Sequence, residues 1–138
     1  MFHIYLWAML VCSAVHAADW KVCQPTMPQL MKVSDVDFSA DKPPQGLPWT
    51  ITVNGVLSAN ITAGQVQDTV RWGEFIVQNK TVNFCAPPNH CPMYAGPVKL
   101  KSSQTIPAIA PRGTYNVQTL STTPKGEIIS CLSVSFAL

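Results

Sequence analysis

Charge is what this chain is shortest of. Asp, Glu, Lys and Arg make up 12% of its 138 residues, against about a quarter in an ordinary soluble domain. The seven acids and nine bases are scattered and leave a net charge of +2. With no Lys/Arg cluster, nucleic acid is excluded as a partner. Histidine is scarce too. Of three, only His90 lies beyond residue 17. There is no Gly-x-Ser-x-Gly elbow and no His-Glu-x-x-His pair. Asp35 and Asp37 would share a strand face without forming an acid/base couple. No enzyme activity and no cofactor are expected. A metal site at Cys85, His90 and Cys91 lacks a second ligand pair at zinc spacing. Long helices are excluded as well, because twelve prolines punctuate the chain and each removes a backbone donor.

Long apolar runs are also missing, except one. Ile4 to Val15 is almost wholly apolar and precedes Val15-His16-Ala17. A run of about a dozen is too short to cross a bilayer, which needs roughly 20 residues. The small residues that follow fit a signal-peptidase site after Ala17. The reading is a signal peptide over 1–17 and one domain over 18–138. Removing 17 of the 138 residues leaves 121, enough for a single core. Five cysteines become four once Cys12 is removed with the signal. An even count in an exported domain reads as two disulfides. Of three possible pairings, Cys85 with Cys91 is favoured, because they flank a Pro87-Pro88-Asn89 turn. That leaves Cys23 with Cys131. Two sequons, at Asn60 and Asn79, would supply the solubility that charge does not.

What remains is strand-like. Trp49, Ile51 and Val53 alternate with Thr50, Thr52 and Asn54, a period of two. Asn54-Gly55 then reads as a tight turn or bulge. Val66, Val70 and Trp72 share a parity, with Asp68 as an exception. Gly73 is expected to bend or bulge that strand before Phe75-Ile76-Val77, and Thr81 to Cys85 reads as another short strand. Val98 and Leu100 alternate with two lysines. Thr114–Leu120 and Ile128–Phe136 flank a Lys125-Gly126 turn. Val36 and Phe38 suggest an early strand, and Lys42 to Gly46 a loop. Strands of this length between Gly/Pro/Asn turns predict an all-β antiparallel sandwich. The antibody-type pattern fails. Trp49 lies 26 residues after Cys23, and Asn occupies position 83, two before Cys85, where that pattern wants a Trp after about a dozen and a Tyr.

The order Cys91-Pro92, Ala95-Gly-Pro97, Gln104-Thr-Ile-Pro107, Ala110-Pro-x-Gly-x-Tyr115, Gly126, Cys131 resembles the ML family of secreted lipid-recognition domains. Trp72-Gly73 and Phe84-Cys85 match more loosely. That resemblance implies an immunoglobulin-like two-sheet sandwich whose sheets splay around an internal apolar cavity. It also implies bridges equivalent to Cys23–Cys131 and Cys85–Cys91. Residues 27–41 hold none of the extra cysteines of the animal sterol carriers, so the chain looks closer to the phospholipid-transfer branch.

Inward apolar residues would line such a cavity: Phe38, Trp49, Ile51, Val53, Val70, Trp72, Phe75, Val98, Leu100, Ile106, Ile109, Tyr115 and Val117. Met93 and Tyr94, held by Cys91-Pro92, are expected to share the mouth with Ile106 and Ile109, which sit among Pro107 and Pro111. Lys99, Lys101 and Arg112 could flank it. The expected function is that of a secreted or endolysosomal, monomeric, non-catalytic carrier. It would hold a phospholipid or sterol and touch membranes transiently. The competing readings are a protein that presents lipid to a receptor, and a ligand-free structural sandwich.

Overall fold

The computed structural model describes residues 18–138, so the signal peptide expected over 1–17 lies outside the described residues. Eight strands follow in order: β1 (Asp19–Val22), β2 (Met31–Phe38), β3 (Pro48–Leu57), β4 (Gln65–Trp72), β5 (Phe75–Asn83), β6 (Gly96–Thr105), β7 (Thr114–Thr122) and β8 (Ile128–Ala137). They form a five-stranded sheet, β1-β8-β7-β4-β5, and a three-stranded sheet, β2-β3-β6. All pairings are antiparallel. The protein is therefore an all-β, two-sheet sandwich.

The alternation read from the sequence decides which face is buried. On β3, Trp49, Ile51, Val53, Gly55 and Leu57 are buried, and the residues between them reach solvent. On β7, Tyr115 and Val117 point inward opposite Phe136 and Val134 of β8. An aromatic column crosses the space between the sheets. Phe38 stacks on Trp49 at 5.1 Å, Trp49 meets Phe136 edge-on at 5.2 Å, and Phe136 stacks on Tyr115 at 5.6 Å. These separations suit offset and edge-to-face aromatic packing.

Three expectations about strand ends are corrected. Of the turn or bulge read at Asn54-Gly55, the turn is absent, since β3 runs straight through, and the bulge falls on the strand opposite, between Val33 and Asp35 of β2. Gly55 is needed because a Cβ there would collide with the Lys32 carbonyl. Gly73 does more than bend a strand. With Glu74 it makes the two-residue turn that pairs Trp72 with Phe75, at a positive φ of 57° that glycine adopts without steric cost. The strand expected over Thr81–Cys85 is no separate element: Thr81 to Asn83 end β5, and Phe84 and Cys85 lie beyond it.

Both disulfides join the cysteines paired by spacing, with Cα separations of 5.1 Å for Cys23–Cys131 and 5.3 Å for Cys85–Cys91. The first ties β1 to β8. The second closes a loop whose Asn89 side chain binds both the N–H and the C=O of Lys101. That contact occupies part of the free edge of β6, which would otherwise present unpaired backbone groups.

Candidate functional site

The two sheets differ in width, and the difference makes the site. β2 packs over β8, and Gln104 of β6 reaches Asp68 of β4. The three-stranded sheet therefore spans β8, β7 and β4, and among the described residues no strand stands opposite β5. Every residue of β5 is exposed except Lys80, which is half-buried. The segment after β6 swings across this gap without filling it. A cavity of about 530 Å³ remains, walled by Val70, Val77 and Gln78 on one side, Thr105, Ile106, Pro107, Ile109, Ala110 and Pro111 on the other, and Tyr115 at the back. Its size lies within the range of about 300–1,000 Å³ usual for small-molecule sites.

The loop is held from several sides. The Gly46 N–H donates to the Ile106 carbonyl at 2.6 Å, and Ala110 N–H to Pro107 C=O at 3.0 Å. Gln45 Nε2 donates to Ala110 C=O at 3.1 Å. Tyr115 Oη donates to Pro111 C=O at 2.6 Å, and Trp72 Nε1 to Arg112 C=O at 3.2 Å. Gly113 closes the segment at φ 141°, and a Cβ there would lie 2.6 Å from Trp72 Nε1. Gly113→Ala is therefore expected to destabilise the fold by about 1–3 kcal/mol. Thermal melting measures this, and a loss below a few tenths of a kcal/mol would show that Trp72 yields freely.

Exposed apolar side chains surround the mouth. Ile109 is 93% exposed and Phe75 68%, with Leu47, Ile76 and Val77 more than half exposed. All lie at the end where β3 begins, β4 turns into β5 and β6 ends. Arg71 and Arg112 are exposed at the same end.

The structure brings together four of the residues expected to line the cavity: Val70, Ile106, Ile109 and Tyr115. It places Trp49, Ile51, Val53, Leu100 and Val117 in packed core, with Phe38 and Val98 against it. The single enclosed void expected between all the inward faces is thus filled on one side by the aromatic column and open on the other. Trp72 and Phe75 stack on each other at 6.2 Å and border a separate shallow cleft with Gly73 and Thr114.

The shared mouth expected for Met93, Tyr94, Ile106 and Ile109 does not form. Met93 pairs with Ile61 through two backbone bonds of 2.8 Å at the opposite end, and Tyr94 is exposed there. The ten residues of β6 separate the two loops, a span of roughly 30 Å at about 3.3 Å per residue. Lys99 and Lys101 project from the outer face of β6, which leaves Arg112 as the cation at the mouth from that expected set. A depression of about 520 Å³ at the far end is lined by Thr62, Gln65, Asn83 and Thr122 among others. Its lining mixes polar and apolar groups more evenly than that of the cavity beside β5, and so suits hydrocarbon less.

Sequence reasoning missed Val77, Gln78, Thr105, Ala110 and the prolines as wall residues. It also set Asp68 aside as a break in the β4 pattern. Asp68 is in fact inward and 3% exposed, accepting from Gln104 Nε2 at 3.0 Å and from Thr119 Oγ1 at 2.8 Å. Its parity with Val66, Val70 and Trp72 was the available sign.

Comparison with known proteins supplies the lineage. A Dictyostelium discoideum protein, provisionally named phosphatidylglycerol/phosphatidylinositol transfer protein 2, is 30% identical over 99% of each chain. A Niemann-Pick type C2 protein from Japanese carpenter ant superimposes with a TM-score of 0.69 at 13% identity, covering 86% of this chain and 98% of the other. Chicken MD-1, solved in complex with lipid IVa, gives 0.58 at 17% identity and 86% coverage of each. Those two likenesses speak to the fold alone. The family model for the ML domain matches residues 17–138, and with it the chain belongs to the ML domain family, a family of non-catalytic lipid-binding and lipid-transfer proteins.

Proposed function

We propose that the protein is a phospholipid carrier that loads its ligand's hydrocarbon into the cavity beside β5 and moves it between membranes. One observation carries this reading: an apolar cavity of about 530 Å³ opens amid exposed apolar side chains. Burial of hydrocarbon supplies about 0.8 kcal/mol per methylene. The exposed rim suits brief contact with a bilayer while the ligand crosses, since apolar patches on a monomer mark such surfaces. Arg71 and Arg112 favour an anionic headgroup or membrane surface. A phospholipid is preferred over a sterol because the relatives are named as phosphatidylglycerol/phosphatidylinositol transfer proteins. Val70, Ile106, Ile109 and Tyr115 are the proposed contacts from the expected set. Mass spectrometry of lipid that co-purifies with the secreted protein tests the reading. A stoichiometric anionic phospholipid is the expected result, and an empty protein that also fails to move phosphatidylglycerol between vesicles would overturn it.

The rim makes its own prediction. Ile109→Asp places a charge where the native side chain is almost fully solvated. The fold should keep its melting temperature, while vesicle-to-vesicle transfer of phosphatidylglycerol falls about tenfold, as expected for a charge added to an apolar contact surface. Equal transfer rates for the two proteins would remove the loop from the membrane contact.

The compartment and the modifications belong to the same proposal. Asn60 and Asn79 are exposed. Asn79 sits on the free edge strand β5, where a glycan would discourage edge-to-edge pairing. N-terminal sequencing and intact mass of protein recovered from culture medium check both. The expected outcome is a start at Ala18 and a mass that drops on glycosidase treatment. Retention of residues 1–17, or no mass change, would count against the respective part.

A further inference from the structure

We infer that Asp68, Gln104 and Thr119 form a polar clasp that sets the depth of the cavity and so selects the length of hydrocarbon it accepts. This inference rests on the lipid-carrier reading above. The cavity wall ends at Val70 on β4 and at Thr105 on β6. The next inward residue on β4 is Asp68 and on β6 is Gln104, and each is only 3% exposed. Their side chains meet across the gap, Gln104 Nε2 donating to Asp68 Oδ2 at 3.0 Å. Thr119 of β7 donates to Asp68 Oδ1 at 2.8 Å, so both carboxylate oxygens are engaged.

Position gives the clasp its role. Among the described residues this is the side-chain hydrogen bond that joins a strand of one sheet directly to a strand of the other. It stands at the inner end of an apolar wedge, on the side of the sandwich that the aromatic column does not fill. A methylene that advanced past Val70 would have to part Gln104 from Asp68. That would leave a buried carboxylate and a buried amide unsatisfied, and the desolvation penalty of those groups exceeds what one methylene gains. Neither partner of Asp68 carries a charge, so the carboxylate depends on these two donors. Hydrocarbon therefore fills the outer cavity and stops at the clasp.

The test measures binding of a homologous series of lysophosphatidylglycerols, octanoyl to stearoyl, below micelle formation. For the native protein, affinity should rise about fourfold per methylene while the chain is still filling the cavity, then level off. The double variant Asp68→Val/Gln104→Leu replaces both partners by apolar groups, a change that cores accept with little loss of stability. Thr119 is only half-buried and loses an acceptor. In this variant the levelling-off should move to chains several carbons longer. Asp68→Asn keeps the shape and the hydrogen-bonding capacity, so its levelling-off should stay where the native one is. Affinity that climbs without a break to stearoyl in the native protein overturns the clasp, whether or not the double variant folds. So does a folded double variant with the native profile, or an Asp68→Asn profile shifted as far as the double variant. Failure of every chain length to bind the native protein would instead count against the carrier reading itself.

Discussion

Replacing Cys23 and Cys131 together by Ala is expected to lower the stability of the fold by about 4–5 kcal/mol. The bridge spans 108 residues, from β1 to β8, so it closes most of the denatured chain into one loop. Domains of this size hold only about 5–15 kcal/mol in total, which makes this a large share. The local structure adds to it. β1 has four residues and, among the described residues, pairs only with β8. Gln29 ties the same place together, donating to the Cys23 carbonyl at 2.8 Å and accepting from the Cys131 N–H at 3.2 Å. Without the covalent tie, β1 should fray and expose the β8 edge. Urea denaturation gives the measurement, and the melting temperature should fall by roughly 15 °C. Removing Cys85 and Cys91 is the control. Their separation is six residues, and loop closure that short contributes roughly 2 kcal/mol. Equal losses for the two double variants would show that loop entropy is not what the long bridge supplies.

Much of the fold was legible because most strands have one wet face. Period-two alternation marks β3 and β7, and Lys125-Gly126 marks the hairpin between β7 and β8. Two kinds of information were not in that pattern. The first is why a glycine is present. Gly55 and Gly73 look alike in sequence, yet Gly55 admits the Lys32 carbonyl inside a continuous strand while Gly73 makes a turn. The second is what lies opposite an inward face. Parity puts Trp49, Val70, Val117 and Gln78 on inner faces alike. It does not say that the three-stranded sheet ends short of β5, so it cannot separate packed core from cavity wall. The two proline-rich loops illustrate the same limit at larger scale. Both are apolar and locked, but one enters β6 and the other leaves it, and a strand that crosses the sandwich puts them at opposite ends.

Filling the cavity should abolish carriage without unfolding the protein. Ala110→Trp is the most direct way. Ala110 lines the cavity and is only half-buried. Its backbone bonds, from its N–H to Pro107 and from Gln45 Nε2 to its carbonyl, do not involve the side chain. An indole at this position occupies the space between the loop and Val70. If it displaces three or four methylenes of ligand, about 3 kcal/mol of burial is lost, or roughly a hundredfold in affinity. Transfer between vesicles should fall to near background, and lipid should no longer co-purify. The fold should hold or gain slightly, because the indole buries apolar surface that the native protein leaves open. This sign separates the carrier reading from a ligand-free structural sandwich. In a structural module the added ring would change neither lipid content nor transfer, since there would be none to lose. Measuring melting temperature, bound lipid and transfer on one preparation distinguishes the cases. A stable variant that carries lipid as well as the native protein would move the ligand away from this cavity, and with it Val70, Ile106, Ile109 and Tyr115.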